Sequence, residues 1–165
     1  MQAWIGEAQA GTHDLRAALK SFQTSSGGLA VDQGNFDDAR CDLAMVETKI
    51  GNVLLTMGNP SGAKEHYENT LTTAKLPASI QHNDFPALYA AAEAHAGLGD
   101  IAVTQAKLTD DVPTREKLLT SACASYQSGL DTWKRIPHVS RYTGNGYLSR
   151  GPDAVSQQMD ICKPK

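Results

Sequence analysis

Large apolar residues, small residues and turn formers return along this chain in a fixed order that predicts helices rather than strands. Ile5-Gly6 leads through His13-Asp14 to Ala18 and Phe22, and 45 residues on, Ile50-Gly51 leads through Gly58-Asn59 to Ala63 and Tyr67. The pairs Ile5/Ile50, Gly6/Gly51, Asp14/Asn59, Ala18/Ala63 and Phe22/Tyr67 share one register. A third copy is expected to be split. Gly99-Asp100 matches Gly58-Asn59 at a spacing of 41, whereas Ala122, Tyr126 and Leu130 match Ala63, Tyr67 and Leu71 at a spacing of 59. The difference predicts about 18 extra residues in the turn of the third unit, where Pro113 would stop one helix and Thr114 would cap the next.

Each unit reads as a helical hairpin of helix A, a tight turn and helix B. A glycine in helix A admits a close neighbour, Gly58-Asn59 and Gly99-Asp100 are suited to end helix A, and alanine followed four residues later by an aromatic packs one face of helix B. The pattern predicts helices near 2–12, 15–25, 36–57, 60–75, 84–99, 114–134 and 151–162. Ser25-Ser26-Gly27-Gly28 and Gln33-Gly34-Asn35 mark the first linker, and Pro77 to Asn83 marks the second. Pro137 to Pro152, with Gly144, Gly146 and Gly151, reads as a looser segment before a short amphipathic helix carrying Val155, Met159 and Cys162. That helix would cap the end of the stack, because no hairpin can bury its apolar face alone. The helical pattern begins at Gln2 without a capping residue, as expected of a piece of a longer chain.

Composition narrows the picture. A length of 165 residues suits a single domain over 1–165, and sparse aromatics at 6% favour helix over sheet. A net charge of −3 offers no basic field, so nucleic acid is not an expected partner. No stretch has the roughly 18 apolar residues of a membrane span, and Gln2-Ala3-Trp4-Ile5 offers no basic region of a leader peptide. Three cysteines, Cys41, Cys123 and Cys162, match no metal pattern and read first as buried or idle thiols in a reducing compartment. No catalytic constellation is visible. Gly144-Asn145-Gly146 is a lone turn, and His13, His66, His82, His95 and His138 never pair at helical zinc spacing. Asp37-Asp38 and Asp110-Asp111 fall in loops or at helix starts, where carboxylates complement the dipole. Neither a metal nor a cofactor is expected.

The order of Ile50, Gly51, Gly58, Asn59, Ala63, Tyr67 and Leu71 resembles the tetratricopeptide repeat (TPR). The likeness covers residues 2–134, with His13 in place of the first turn glycine and Ala92 in place of the third helix A glycine. It implies an all-α, TPR-like α-α superhelix of about three hairpins (2–25, 36–75 and 84–134) with a capping helix at 151–162. The run Ser125 to Trp133, followed by a cysteine-bearing terminal helix, is similar to TPR regions beyond the kinase domain of some bacterial serine/threonine kinases.

Such a fold implies a protein-interaction module, not an enzyme, acting as a regulatory part of a larger bacterial signalling protein; the alternative is a self-assembly module that pairs into a homodimer. In TPR proteins the residue after the helix A glycine faces the concave groove, which implies Glu7, Asn52 and Glu93, with Thr48, Leu55 and Tyr89 close by. Of the clamp that grips chaperone tails only Asn52 matches, and Glu7 and Glu93 would repel a carboxylate, so a neutral or basic peptide is the expected ligand. A cytoplasmic setting is the default. If the region lies outside a membrane, as in receptor-like kinases, a Cys123–Cys162 disulfide would staple the cap down.

Overall fold

Short turns decide which helices meet. The computed structural model describes residues 2–11, 13–32, 37–74, 85–136 and 150–162, and all regular structure among them is helical. The elements are α1 (Gln2–Gly11), α2 (Leu15–Asp32), α3 (Asp37–Thr56), α4 (Pro60–Thr73), α5 (Phe85–Leu108), α6 (Val112–Trp133) and α7 (Pro152–Gln158), which runs into a 3₁₀ turn at Met159–Cys162. Three residues separate α1 from α2, α3 from α4 and α5 from α6, so each pair folds back into a hairpin. The hairpins pack in sequence through α2 against α3 and through α3 and α4 against α5. The chain end returns as α7 and the 3₁₀ turn, both seated on α6.

The first two turns share one construction. Asn59 N–H reaches Leu54 O at 2.9 Å and Gly58 N–H reaches Leu55 O at 3.0 Å, while Asp14 N–H reaches Gln9 O at 2.9 Å and His13 N–H reaches Ala10 O at 3.0 Å. Both turns place one residue in the left-handed region, Gly58 at φ 79° and His13 at φ 65°. His13 thus adopts the conformation that the turn glycine adopts one hairpin later. The next residue caps the following helix: Asp14 Oδ1 accepts from Ala17 N–H at 3.1 Å and Asn59 Oδ1 from Gly62 N–H at 3.0 Å.

The third hairpin departs from its expected outline. Gly99-Asp100 does not end helix A; α5 runs on to Leu108. The residue equivalent to Asn59 is Asp111, whose carboxylate accepts from Thr114 N–H at 2.9 Å, so Asp111 and not Thr114 is the cap. Pro113 lies in the first turn of α6, where its missing N–H costs nothing. The extra residues therefore do not form an enlarged turn of about 18. Eight residues lead from Gly51 to Asn59 but twelve from Gly99 to Asp111, and four lead from Asn59 to Ala63 but eleven from Asp111 to Ala122. Insertions of four and seven are close to one and two whole helical turns, so both helices lengthen without rotating their packing faces.

A second departure lies in α2, which continues through Ser25-Ser26-Gly27-Gly28 to Asp32. Ser26 Oγ donates to Glu47 on α3, and Leu29 packs against the first core cluster, so tertiary contact offsets the low helix propensity of this stretch. The expected linkers at Gln33-Gly34-Asn35 and Pro77 to Asn83, and the looser segment from Pro137 with Gly144 and Gly146, lie outside the described residues. Gly151 and Pro152 open α7.

Two apolar clusters form the core. The first gathers Ala18, Phe22, Ile50, Val53, Ala63 and Tyr67 with α5 residues Ala94 and Ile101. The second joins Tyr89, Ala92, Ala122, Tyr126 and Trp133 to Val155 of α7. In every hairpin the helix B ring lies flat against a helix A glycine. A Cβ on Gly6 would come within 2.8 Å of Phe22, on Gly51 within 2.6 Å of Tyr67, and on Gly99 within 2.4 Å of Tyr126. Tyr67 is enclosed from the other side by Gly97, where a Cβ would lie 2.3 Å away. The helix A glycine of the third hairpin is thus Gly99, and Ala92 is not its counterpart. These three rings are 2% exposed or less, so none can swing aside.

Gly51→Ala is expected to cost about 1–3 kcal/mol by forcing Tyr67 out of its seat. Gly58→Ala meets nothing within 4 Å and is expected to lose only about 1 kcal/mol of left-handed backbone strain. Urea unfolding monitored by circular dichroism separates the two, because only the first change disturbs the near-ultraviolet signal of the tyrosine.

Candidate functional site

The residue after the helix A glycine receives the hydroxyl of the ring that covers that glycine. Tyr67 donates to Asn52 Oδ1 at 2.8 Å, and Tyr126 donates to Asp100 Oδ1 at 2.7 Å. Asn52 and Asp100 are therefore equivalent positions. The first hairpin carries Phe22, which has no hydroxyl, and there Glu7 pairs with Lys49 at 3.1 Å.

Asn52 and Asp100 converge on Arg150, the residue two positions ahead of α7. Its Nη1 pairs with Asp100 Oδ2, and its Nη2 donates to Asn52 Oδ1 at 2.8 Å and to the Tyr67 hydroxyl at 3.0 Å. Its backbone N–H donates to Glu93 Oε1 at 2.7 Å. Glu93 is fully buried; Tyr89 donates to the same oxygen at 2.9 Å, and Asn52 Nδ2 faces Oε2 at 3.4 Å. One guanidinium thus joins α3, α4 and α5. Two carboxylates face one cation, so the site keeps an excess of negative charge that favours a guanidinium over any anion.

Burial pushes the Tyr67 hydroxyl up to about 12; the positive charge of Arg150 opposes this, and Asp100 and Glu93 add to it. Tyr126 is also raised, first by burial and then by its bond to Asp100. Both phenols therefore stay protonated and serve as donors. For Arg150, burial opposes the charge, but Tyr67, Asp100 and Glu93 outweigh it and hold the guanidinium more firmly cationic than usual.

The six positions implied by the groove resemblance separate in space. Asn52, Tyr89 and Glu93 come together around Arg150. Glu7 lies in its own pair with Lys49, and Leu55 packs at the edge of the first core cluster. Thr48 is 1% exposed and bonded among Ala44 O, Thr70 Oγ1 and Ala90 O, where it cements the helices and lines no groove. Tyr67, Asp100 and Arg150 join the site from outside the groove positions that the resemblance implies. Leu98-Gly99-Asp100 repeats Ile50-Gly51-Asn52 at a spacing of 48, a signal that would have placed Asp100; nothing in the sequence places Arg150.

Two further features lie apart from Arg150. Glu47, on α3, accepts from Ser26 and lies 2.7 Å from His66 Nδ1. Burial alone would raise its carboxyl, but the bonds from His66 and Ser26 and the charge of His66 bring it below the ordinary value. Cys123 on α6 and Cys162 form a disulfide, while Cys41 is buried and takes no part in it. Among the described residues no group of three or more His, Cys, Asp or Glu is arranged to hold a metal, and no helix is long and apolar enough to cross a membrane.

Arg150→Ala is expected to cost about 2–3 kcal/mol, below the range for a wholly buried pair because Asp100 keeps 22% side-chain exposure. Arg150→Lys is expected to recover less than half of that, since an ammonium cannot span Asp100 and Asn52 as a planar fork does. Thermal unfolding of both variants checks this. The depressed Glu47 carboxyl adds stability that is complete above its unfolded value and lost as pH falls through the lower folded one. The stability difference between the native chain and Glu47→Gln is therefore expected to shrink between roughly pH 5 and pH 3.

No protein-family model matches this chain, and no curated protein or solved structure matches it either.

Proposed function

We propose that this chain is a TPR-like helical interaction module whose acidic pocket receives an arginine-bearing segment of a protein partner. The repeated order of helix A glycine, capping residue, helix B alanine and covering aromatic supports a stack of TPR-like hairpins, as does the resemblance of residues 2–134 to that repeat. One observation carries the ligand class: Asn52, Tyr67, Glu93 and Asp100 already hold an arginine, the chain's own Arg150. The side chains around it are donors and acceptors fixed by the core and not by the ligand, which is the condition for binding without a large ordering cost. Asp110 and Asp111, the paired carboxylates with described surroundings, lie at a helix cap and not in a pocket, which favours a binding role over acid–base chemistry. The likeness of Ser125 to Trp133 to the end of bacterial kinase TPR regions makes a regulatory part of a larger signalling protein the natural setting.

The test uses the Arg150→Ala chain, in which the pocket holds no internal ligand, and fluorescein-labelled peptides of alternating glycine with arginine, lysine or glutamate. Fluorescence anisotropy is expected to rank arginine above lysine, with the glutamate peptide unbound. Adding Asp100→Asn is expected to weaken the arginine peptide by about tenfold, the loss of one charge-assisted bond. Equal affinity for all three peptides, or no effect of Asp100→Asn, would overturn the reading.

A further inference from the structure

We infer that the Cys123–Cys162 disulfide is a redox latch on the Arg150 strap, and that its reduction opens the acidic pocket to an arginine of a partner protein. The inference rests on the pocket reading above and adds what governs it.

Arg150 and Cys162 are the two ends of a single described segment, 150–162. At one end Arg150 takes up Asp100 Oδ2, Asn52 Oδ1 and the Tyr67 hydroxyl, so a partner guanidinium and Arg150 cannot occupy the site together. At the other end Cys162 is joined covalently to α6. Between them lie only seven residues of α-helix and a four-residue 3₁₀ turn, too short to persist without anchors. Val155 is fully buried in the second core cluster and Met159 packs beside it, while Asp153, Ala154, Ser156 and Gln157 face solvent. The seat also carries a cost: among the described residues, Trp133 Nε1 on α6 and Gln158 Oε1 on α7 are buried without a protein hydrogen-bond partner. Detachment of the cap frees Gln158 of α7 to meet water. The strap is thus held at three places, by the bonds of Arg150, by the burial of Val155 and by the covalent tie, and cutting the tie frees its C-terminal end.

The chemistry balances with a dithiol reductant. A thiolate of the reductant attacks one sulfur, the Cys123–Cys162 bond breaks as a mixed disulfide forms, and the second reductant thiol releases the protein. Two electrons and two protons pass to Cys123 and Cys162, and the reductant leaves as its own disulfide. Cys41 remains a thiol throughout. Once the tie is cut, the fraction of molecules with Arg150 out of the pocket rises, and the apparent affinity for a partner rises in proportion.

Two measurements on the otherwise native full chain test this, each with oxidised protein, dithiothreitol-reduced protein and the Cys123→Ser/Cys162→Ser variant. The first is amide hydrogen exchange at Arg150, whose N–H is held by Glu93, with the amide of Val53 in α3 as reference. Reduction is expected to speed exchange at Arg150 about tenfold or more while Val53 is unchanged. Exchange at Arg150 within about twofold of the oxidised rate, or equal acceleration at Val53, would overturn the latch. The second is anisotropy with the glycine–arginine peptide, expected to bind the reduced and serine forms about tenfold tighter than the oxidised form, approaching Arg150→Ala. If Arg150→Ala binds the peptide and reduction does not improve the native chain, the latch fails and the pocket reading stands. If exchange accelerates but no form binds, the pocket reading fails and the movement of the strap stands alone.

Discussion

An aromatic ring pressed flat on a glycine backbone is the contact on which this architecture depends. Phe22 on Gly6, Tyr67 on Gly51 and Tyr126 on Gly99 each replace a Cβ with the face of a ring, and this sets how closely helix A and helix B of a hairpin approach. The rings are among the largest fully buried side chains, so the contact also carries much of the apolar burial. Tyr67 does more than its counterparts, since Gly97 of the next hairpin closes over its far side and makes one side chain the joint between two units.

The polar site follows from the same contact. A tyrosine that covers a glycine delivers its hydroxyl to the residue just after that glycine, and this creates the Asn52 and Asp100 positions. Where the ring is Phe22, no hydroxyl arrives and no such site forms. The polar site is therefore an extension of the packing scheme, built on the core beneath it. Glu93 belongs to the pocket by a different route. It lies two helical turns ahead of Asp100 on α5, buried at the level of Asn52, and holds the backbone of the arriving strap while Asp100 holds its side chain.

The register of the third hairpin shows where reading along the chain loses its way. Gly99-Asp100 resembles Gly58-Asn59 as a dipeptide and Gly51-Asn52 as a position. Local composition cannot choose between a turn glycine and a packing glycine, because both are selected for the absence of a Cβ and only the environment differs. The structure chooses by contact: Gly99 meets Tyr126, and its helix continues to Leu108. The same error moved the implied groove position from Asp100 to Glu93. Ser25 to Gly28 departs from its local pattern for a related reason: glycine and serine pairs disfavour an isolated helix, but Ser26 and Leu29 are held by neighbours that the local sequence does not reveal.

What the sequence by itself determined is the helical class, the three hairpins and the contents of the first two turns, because these rest on interactions within about ten residues. Capping, left-handed turns and the four-residue step from alanine to ring are all local, and Asp14, Asn59, Ala18 and Ala63 announce them directly. The tertiary structure alone decided which glycine serves which ring in the third unit, that Thr48 is cement, and that Arg150 closes the pocket. That last contact spans 98 residues from Asn52 and 50 from Asp100. Pairing over such distances depends on how the strap returns over α6, a path set by the burial of Val155 and the tie at Cys162, and no local pattern encodes it.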